Sequence, residues 1–316
     1  MHVAIQTPPE NTTFRELRDA WQAADELGFS AAFTFDHFVP LDPAAKPSPT
    51  AAIPHGTQLE GWTTLAALAT CTSKMMVGTL VTGVTYRHPI VLAKMAVTLD
   101  EISDGRAILG LGAAWHEAEH RMYGIEYPPV GERMGRLDEV LTIFGRLCAE
   151  DIVDFDGRWY QLAGAVFEPK PVRPSGIPVL VGGSGDRLKR IAARHATMFN
   201  SFSPPWEWAT VNADLDARLD AAGRSPAALE RTAYVFAELS GEQARDDALV
   251  ATFQRNRGGT DDEVRRRVLV GDADTMIATL RGYADAGVDT AIINLRPPYH
   301  TQNLEKFARD VMPALL

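Results

Sequence analysis

The chain has 316 residues, of which 46% are hydrophobic and 23% are charged, a globular composition that excludes collagen-like, coiled-coil and disordered classes. With 41 acidic against 31 basic residues, its formal net charge is -10. Binding to nucleic acid or to an anionic membrane needs a basic surface, so we expect neither partner.

The number of cysteines and the N-terminal residues indicate the cellular compartment of the protein. Cys71 and Cys148 are too few for a disulfide framework, and we interpret both as core thiols in a reducing environment. The first residues lack a basic segment followed by a long apolar one, and no run of about 18 apolar residues occurs. We therefore expect a cytoplasmic protein.

Short apolar runs rich in β-branched residues alternate along the chain with stretches of helical spacing, which is typical of α/β proteins. A helix is predicted at 13–27, with Gly28 ending it. The predicted strands are 2–7, 31–35, 76–82, 106–111, 178–182, 197–202, 231–239 and 288–294. Eight strands, each followed by a helix, predict one (β/α)₈ TIM barrel domain over residues 1–316.

Three stretches are longer than ordinary barrel loops and are interpreted as insertions: 36–60, 150–176 and 240–272. The second contains VDFDGRWYQLAG, which predicts two short strands around Asp156 and Gly157. The third is charged with scattered apolar residues, and we expect a solvated helical insertion there.

Functional residues of a barrel lie at the C-terminal ends of its strands. Asp36 and His37 follow the second predicted strand, where an imidazole beside a carboxylate can hold a proton near neutral pH. The alternative interpretation is a capped loop with a hydrogen-bonded histidine. Thr82 ends the third predicted strand. Gly112 and Ala113 directly follow the fourth, and such small residues allow a flat ligand to approach the backbone.

A glycine-rich turn follows the fifth predicted strand. Gly182, Gly183 and Ser184 precede a predicted helix, so unpaired amides and the positive helix end could hold a phosphate. The alternative is a plain glycine turn with Asp186 as the N-cap.

We expect no metal site, because no group of potential ligands has convincing spacing. The nearest candidate is a set of four polar residues on one predicted helix, which we interpret as its polar face. These residues are His116, Glu117, Glu119 and His120.

Several segments in a fixed order resemble the bacterial luciferase-like oxidoreductase superfamily, in particular its branch that uses the deazaflavin coenzyme F420 in place of FMN. They are DELGFSAAFTFDHF, LEGWTTLAALAT, VGTLVTGVTYRHPIVLAKMAVTLDEISDGRAILGLGAAWHEAEHRMYG, ERMGRLDEVLTIF, PVLVGGSG and ADAGVDTAIINL. The resemblance covers nearly the whole chain.

This resemblance implies a (β/α)₈ barrel with the coenzyme ring over the C-terminal strand ends. It implies that Asp36 and His37 lie beside the ring, with His37 catalytic and Asp36 orienting it. Leu80 and Val81 fall where such proteins carry a non-prolyl cis peptide behind the ring. Thr82, Gly112 and Ala113 are expected beside the ring, and Gly182, Gly183 and Ser184 match the phosphate-binding glycines.

The implied activity is hydride transfer between F420 and a small organic substrate. The alternatives are an FMN-dependent monooxygenase that uses dioxygen, and a barrel that binds a coenzyme without turnover. Two positions depart from the superfamily's sugar-phosphate and alcohol dehydrogenases. Leu41 stands where they carry a tryptophan, and Trp115 stands where they carry a glutamate.

These departures favour a neutral, largely apolar substrate. We expect Leu41, His55 and Trp115 to line its pocket. We also expect a homodimer, because related proteins are often dimers and the early helices have surplus apolar residues. The residues concerned are Trp62, Leu65, Leu68 and Met95.

Overall fold

The computed structural model describes residues 1–41 and 56–315. The strands are β1 His2–Gln6, β2 Ala31–Thr34, β3 Met76–Thr79, β4 Thr82–Gly83, β5 Ala107–Gly112, β6 Ile152–Asp156, β7 Gln161–Val166, β8 Val179–Gly182, β9 Met198–Ser201, β10 Glu230–Phe236 and β11 Thr290–Asn294. The helices are α1 Phe14–Leu27, α2 Gly61–Ala69, α3 Pro89–Ile102, α4 Glu117–Tyr123, α5 Val130–Ala149, α6 Asp186–His195, α7 Pro205–Ala221, α8 Gln243–Arg257, α9 Asp261–Arg265, α10 Ala273–Asp285 and α11 Thr301–Asp310.

A closed parallel barrel organises the fold. Its strands follow the order β3, β2, β1, β11, β10, β9, β8 and β5, and pairing of β3 with β5 closes it. The predicted TIM barrel is confirmed, with all eight predicted strands present. The third ends early at Thr79; a cis peptide between Leu80 and Val81 follows, and β4 then pairs with β5. We propose that the chain forms one domain, because β1 pairs with β11.

Helix α1 shows how the sequence sets the helix boundaries. Thr13 accepts a hydrogen bond from the Glu16 amide, while the Glu16 carboxylate accepts one from the Thr13 amide, which satisfies two free donors of the first turn. Gly28 ends the helix in the left-handed conformation, which glycine adopts without steric cost. Leu17 and Trp21 lie on the buried face, so α1 packs on the barrel.

Two apolar layers hold the barrel together. The larger lies between the strands and the surrounding helices, and the smaller fills the barrel interior. The fully or largely buried interior residues are Ala4, Ala31, Phe33, Leu80, Ile108, Leu180, Met198 and Ile292. This packed interior leaves the C-terminal strand ends as the place for a ligand.

The insertions partly follow their predictions. Strands β6 and β7 form the predicted hairpin, with Asp156 paired to Gln161 and a four-residue turn between them. The stretch 240–272 is helical but not simply solvated, because its apolar residues form a small core of their own. The members of this core are Val250, Phe253, Val264, Val268 and Val270.

The apolar residues used to predict a dimer lie inside the monomer. Trp62, Leu65 and Leu68 are buried in the main core, and Met95 packs against it. The surplus inferred from the sequence is therefore explained by packing between helices and barrel, and that argument for a dimer is wrong. Cys71 and Cys148 are free thiols and half-buried, and burial raises the pKa of Cys148 to about 11.

Each helix within residues 1–41 and 56–315 is too short or too polar to cross a membrane.

Candidate active site

His37 is the centre of a buried polar cluster beyond the end of β2. Its side chain is 9% exposed, and its Nδ1 lies 2.8 Å from Oε2 of Glu119. The other carboxylate oxygen of Glu119 accepts a hydrogen bond from the amide of Phe38 at 3.1 Å. The two oxygens of Glu119 thus hold the imidazole of His37 and the backbone of the same loop. Nδ1 of His37 donates a hydrogen bond to this carboxylate. The remaining ring nitrogen, Nε2, is left to exchange a proton.

Helix α4 turns two of its polar residues inward. Glu119 and His120 are buried, whereas Met122 and Tyr123 are about half exposed. His116 caps the helix by accepting a hydrogen bond from the Glu119 amide at 3.1 Å. The interpretation of this segment as simply the polar face of a helix is therefore wrong for Glu119 and His120, which are buried. The sequence prediction missed Glu119 as a site residue.

Aromatic rings surround His37 and isolate the cluster from water. Trp115, Tyr86 and His116 lie with ring centroids 5.5, 6.4 and 5.9 Å from the imidazole. Burial and the neighbouring Glu119 carboxylate raise the pKa of Tyr86, so its hydroxyl stays protonated. Burial and the neighbouring His37 lower the pKa of His116, so this imidazole stays neutral near neutral pH.

Burial alone would raise the pKa of Glu119, but the hydrogen bonds from His37 and the Phe38 amide outweigh it and hold this pKa below its usual value. Glu119 is therefore an anion above mildly acidic pH. An ionised carboxylate at this place keeps the proton on Nδ1 of His37.

Asp36 has a different partner from the one predicted. Its fully buried carboxylate pairs with the guanidinium of Arg87, with Nη2 of Arg87 3.0 Å from Oδ1. Arg87 also pairs with Glu60 at 2.6 Å. Asp36 therefore connects the loop after β2 to the segment after β4, and the orientation of His37 comes from Glu119.

The predicted ring-binding residues converge on Val81. The bond between Leu80 and Val81 is cis, as predicted. A Cβ at Gly112 would lie 2.8 Å from Cγ2 of Val81, and one at Gly182 would lie 3.1 Å from its Cγ1. Thr82 is buried and accepts a hydrogen bond from the Trp62 indole at 2.8 Å. The ends of β5 and β8 therefore present bare backbone around the Val81 side chain.

A buried glutamine holds this wall from behind. Nε2 of Gln6 donates to the carbonyl of Leu80 at 3.0 Å, and Oε1 accepts from the Tyr234 hydroxyl at 2.5 Å and from Nδ2 of Asn294 at 2.8 Å. The side-chain amide of Gln6 thus connects β1, the segment after β3, β10 and β11. Nothing in the sequence pattern distinguished Gln6 from other strand residues.

The glycine turn after β8 leads into α6. The amide of Gly183 donates to the carbonyl of Asn200, and Gly185 is the N-cap, which provides no side-chain cap. The alternative with Asp186 as N-cap is wrong, because its carboxylate pairs with Arg218 at 3.1 Å. Ser184 is exposed at this turn. Among residues 1–41 and 56–315, no side chain caps the first turn of α6.

The predicted substrate-lining residues divide into three cases. Trp115 lies beside His37 with 45% exposure, so it can contact both the cluster and a ligand. Leu41 is half-buried, and its amide donates to Glu10 at 2.5 Å. His55 lies outside the described residues.

Ala113, which was expected beside the ring, is half-buried, and its carbonyl accepts a hydrogen bond from Nε of Arg133 at 3.0 Å.

Comparison with known proteins places this geometry in context. The chain is 28% identical over 328 residues to an F420-dependent glucose-6-phosphate dehydrogenase of Intrasporangium calvum, with 95% of each chain covered. It is 26% identical to the enzyme of the same name from Amycolatopsis mediterranei, covering 100% of this chain and 98% of that one.

A solved structure shows the same fold. It is an F420-dependent secondary alcohol dehydrogenase in complex with an F420-acetone adduct, which superposes with a TM-score of 0.84 at 18% identity. The match covers 100% of this chain and 99% of that one.

The resemblance found in the sequence is confirmed by a family profile. The profile of the luciferase-like monooxygenases matches residues 1–261. This match spans most of the chain, including the His37 cluster, the cis peptide and the glycine turn. The chain belongs to the luciferase-like monooxygenase family.

Proposed function

We propose that this chain is an oxidoreductase that transfers a hydride between coenzyme F420 and a small organic substrate. Relatives covering nearly its whole length are named F420-dependent dehydrogenases, which supports F420 over FMN. The observation that carries the proposal is the His37–Glu119 pair, with Nδ1 held at 2.8 Å and Nε2 left for proton exchange. Transfer of a hydride to or from a carbonyl requires such a proton at the oxygen.

The residues around Val81 fit a flat ring. Gly112 and Gly182 have no side chains where a Cβ would approach Val81, so the barrel end offers a bare surface to a planar group. The glycine turn before α6 offers amides to a phosphate. We assign the ring to Leu80, Val81, Thr82, Gly112 and Ala113, and the phosphate to Gly182, Gly183 and Ser184.

The coenzyme, when bound, supplies or accepts the hydride. His37 donates or accepts the accompanying proton through Nε2. Glu119 keeps the proton on Nδ1, and the loop bearing His37 is further held by the Asp36–Arg87 pair. Trp115 and Tyr86 exclude water from the imidazole.

The residues beside His37 and the names of the relatives bear on the substrate. Trp115, whose ring centroid is 5.5 Å from that of His37, supports an apolar surface beside the imidazole. The names of the relatives point instead to a phosphorylated substrate. We therefore propose a substrate with an apolar part near Trp115, without requiring that all of it be neutral.

Coenzyme binding and oxygen uptake test this function. Purified protein is titrated with F420 and with FMN. Turnover is followed by the absorbance of the coenzyme, with oxidisable substrates offered to the oxidised coenzyme and reducible substrates offered to the reduced coenzyme. We expect micromolar or tighter binding of F420 and turnover without oxygen uptake. Binding of FMN only, with oxygen uptake, would make the chain a monooxygenase. F420 binding without turnover on any acceptor would make it a coenzyme carrier.

A further inference from the structure

The turn between β5 and α4 contains a strained residue close to His37. Ala114 has a φ of +60°, in the left-handed region that residues other than glycine rarely adopt. In this conformation Cβ lies too close to the following carbonyl oxygen, a steric cost that glycine avoids. The next residue is Trp115, whose ring centroid is 5.5 Å from that of His37. A backbone outlier therefore directly precedes the indole that lies against the imidazole.

Two side chains hold the carbonyl groups on either side of Ala114. Nε of Arg133 donates to the carbonyl of Ala113 at 3.0 Å. The Tyr127 hydroxyl donates to the carbonyl of Trp115, also at 3.0 Å. These two hydrogen bonds fix the backbone immediately before and immediately after the strained residue. We call Tyr127 and Arg133 the clamp.

The clamp is itself held by packing. The guanidinium carbon of Arg133 lies 3.9 Å from the centroid of the Tyr127 ring, so the cation packs on the aromatic face. Arg133 is buried, and its Nη1 also donates to the carbonyl of Pro128. The Tyr127 ring contacts the buried imidazole of His120, at a centroid distance of 4.8 Å. Surroundings that are fixed in this way can maintain an unfavourable backbone conformation.

The Trp115 side chain has little packing of its own. Its ring contacts the imidazoles of His37 and His116, with centroid distances of 5.5 and 4.9 Å, yet the residue is 45% exposed. Such a side chain keeps one direction only when its backbone does. The shape of the pocket beside His37 therefore depends on the turn that carries Trp115.

We propose that the clamp is a positioning device, which holds the strained turn and so fixes the Trp115 ring beside His37. Trp115 then determines which apolar part of a substrate fits against the imidazole. The proposal rests on the function proposed above, and it names a specificity-determining residue and the two residues that position it. Without the clamp, Ala114 would relax to a negative φ and the indole would change direction.

The position of Trp115 can be measured without turnover. The protein is labelled with 5-fluorotryptophan, and Trp115→Phe identifies the Trp115 signal among those of the six tryptophans. Tyr127→Phe removes only the hydroxyl of the clamp. We expect it to shift or broaden the Trp115 fluorine resonance, because the ring leaves its fixed position, and to leave the other five resonances unchanged. An identical Trp115 resonance in the wild type and Tyr127→Phe would overturn the proposal.

Tyr283→Phe is the matched control. The Tyr283 hydroxyl, on α10, also donates to a backbone carbonyl at 3.0 Å, that of Arg267. Loss of this bond should lower the melting temperature but leave the Trp115 resonance unchanged. If Tyr283→Phe moves this resonance as much as Tyr127→Phe does, general loosening of the fold explains the effect and the clamp has no specific role.

Ala114→Gly tests the strain itself. Glycine adopts this φ without the steric cost, so the turn depends less on the clamp. We therefore expect Tyr127→Phe to shift the Trp115 resonance less, and to lower the melting temperature less, in the Ala114→Gly background than in the wild type. Equal effects of Tyr127→Phe in both backgrounds would show that the clamp does not act on Ala114.

Two ketone probes test the specificity. Cyclohexanone and acetone are titrated calorimetrically into the protein loaded with F420. We expect the wild type to prefer cyclohexanone, whose larger apolar ring contacts Trp115, and Tyr127→Phe to reduce this preference about fivefold with F420 affinity unchanged. The same preference in both proteins, or none in the wild type, would remove the specificity role. If the wild type binds no F420, the proposed function fails, while the fluorine and melting measurements still decide whether the clamp positions Trp115.

Discussion

Oε2 of Glu119 lies 2.8 Å from Nδ1 of His37, although 82 residues separate them along the chain. The contact joins the loop after β2 to the helix after β5, so the imidazole is held by an element that the barrel brings from the far side of β3. Without this contact, His37 would be a loop histidine with a freely rotating ring.

Glu119→Gln should lower turnover at least about tenfold with F420 affinity unchanged. Glutamine has one side-chain oxygen, so it cannot accept from both the Phe38 amide and His37, as Glu119 does. Glu117→Gln is the matched control on the same helix, since Glu117 pairs with exposed Arg121. Steady-state kinetics and coenzyme titration measure the two effects. Equal turnover in Glu119→Gln and the wild type would remove Glu119 from the mechanism.

Gly182→Ala should weaken F420 binding about tenfold while the fold is kept. The added Cβ would lie 3.1 Å from Cγ1 of Val81 and displace that side chain toward the ring. A substitution at Gly183 is less informative, because its φ of +137° strains any side chain. Gly145→Ala is the control, since no atom lies within 4 Å of its added Cβ. Unchanged F420 affinity in Gly182→Ala, with circular dichroism as in the wild type, would place the ring elsewhere.

Arg87→Met should lower the free energy of unfolding by about 3–5 kcal/mol, because it leaves the buried Asp36 carboxylate without its partner. The double variant Asp36→Asn/Arg87→Met should recover much of that loss. Arg18→Met breaks an exposed pair with Asp19 and should change stability by less than about 1 kcal/mol. Urea denaturation provides the values. If the double variant is no more stable than the single one, packing of Arg87 and not its charge explains the loss.

Acid should destabilise the fold partly through His116. Its pKa is lowered in the folded state, so the unfolded chain binds more protons below about pH 6.5 and stability falls as pH decreases through that value. Protonation also removes the Nδ1 acceptor that caps α4. The side chain of Asn can accept the same hydrogen bond from the Glu119 amide but does not titrate. Between pH 7.5 and 5, the melting temperature of His116→Asn should therefore fall by about 1–3 °C less than that of the wild type. If the melting temperatures of both proteins fall by the same amount between pH 7.5 and 5, His116 does not have this role.

We further propose a homodimer, now from a different surface. Ile152 and Val166 pair across the β6–β7 hairpin with 60% and 69% exposure, an unusual placement for two β-branched residues. Sedimentation equilibrium should give twice the chain mass of 34.5 kDa, and Val166→Lys should shift the protein toward the monomer. Val91→Lys, on α3, is the matched control, because Val91 is also an exposed valine, with 52% exposure. A monomer at micromolar wild-type concentration would refute the dimer.

The sequence predicted the barrel because its strands and helices carry local signals, and it placed the proposed ring site through glycines at strand ends and the family resemblance. Strand periodicity located the eight strands, and glycines at strand ends marked where the backbone is bare. Glu119 escaped prediction for a physical reason: α4 is short, and it buries Glu119 and His120 while Met122 lies outward, which reverses the usual amphipathic rule.

The hydrogen bond between Gln6 and Asn294 spans 288 positions of the chain. During synthesis at about 5–20 residues per second, the first strand emerges roughly 15–60 seconds before its last partner. Until β11 arrives, Gln6 lacks one of the two donors to its oxygen, and β1 has an unpaired edge. The wall behind the proposed ring site is therefore completed only after nearly the whole polypeptide has left the ribosome, and a nascent chain stopped before β11 carries an incomplete coenzyme pocket.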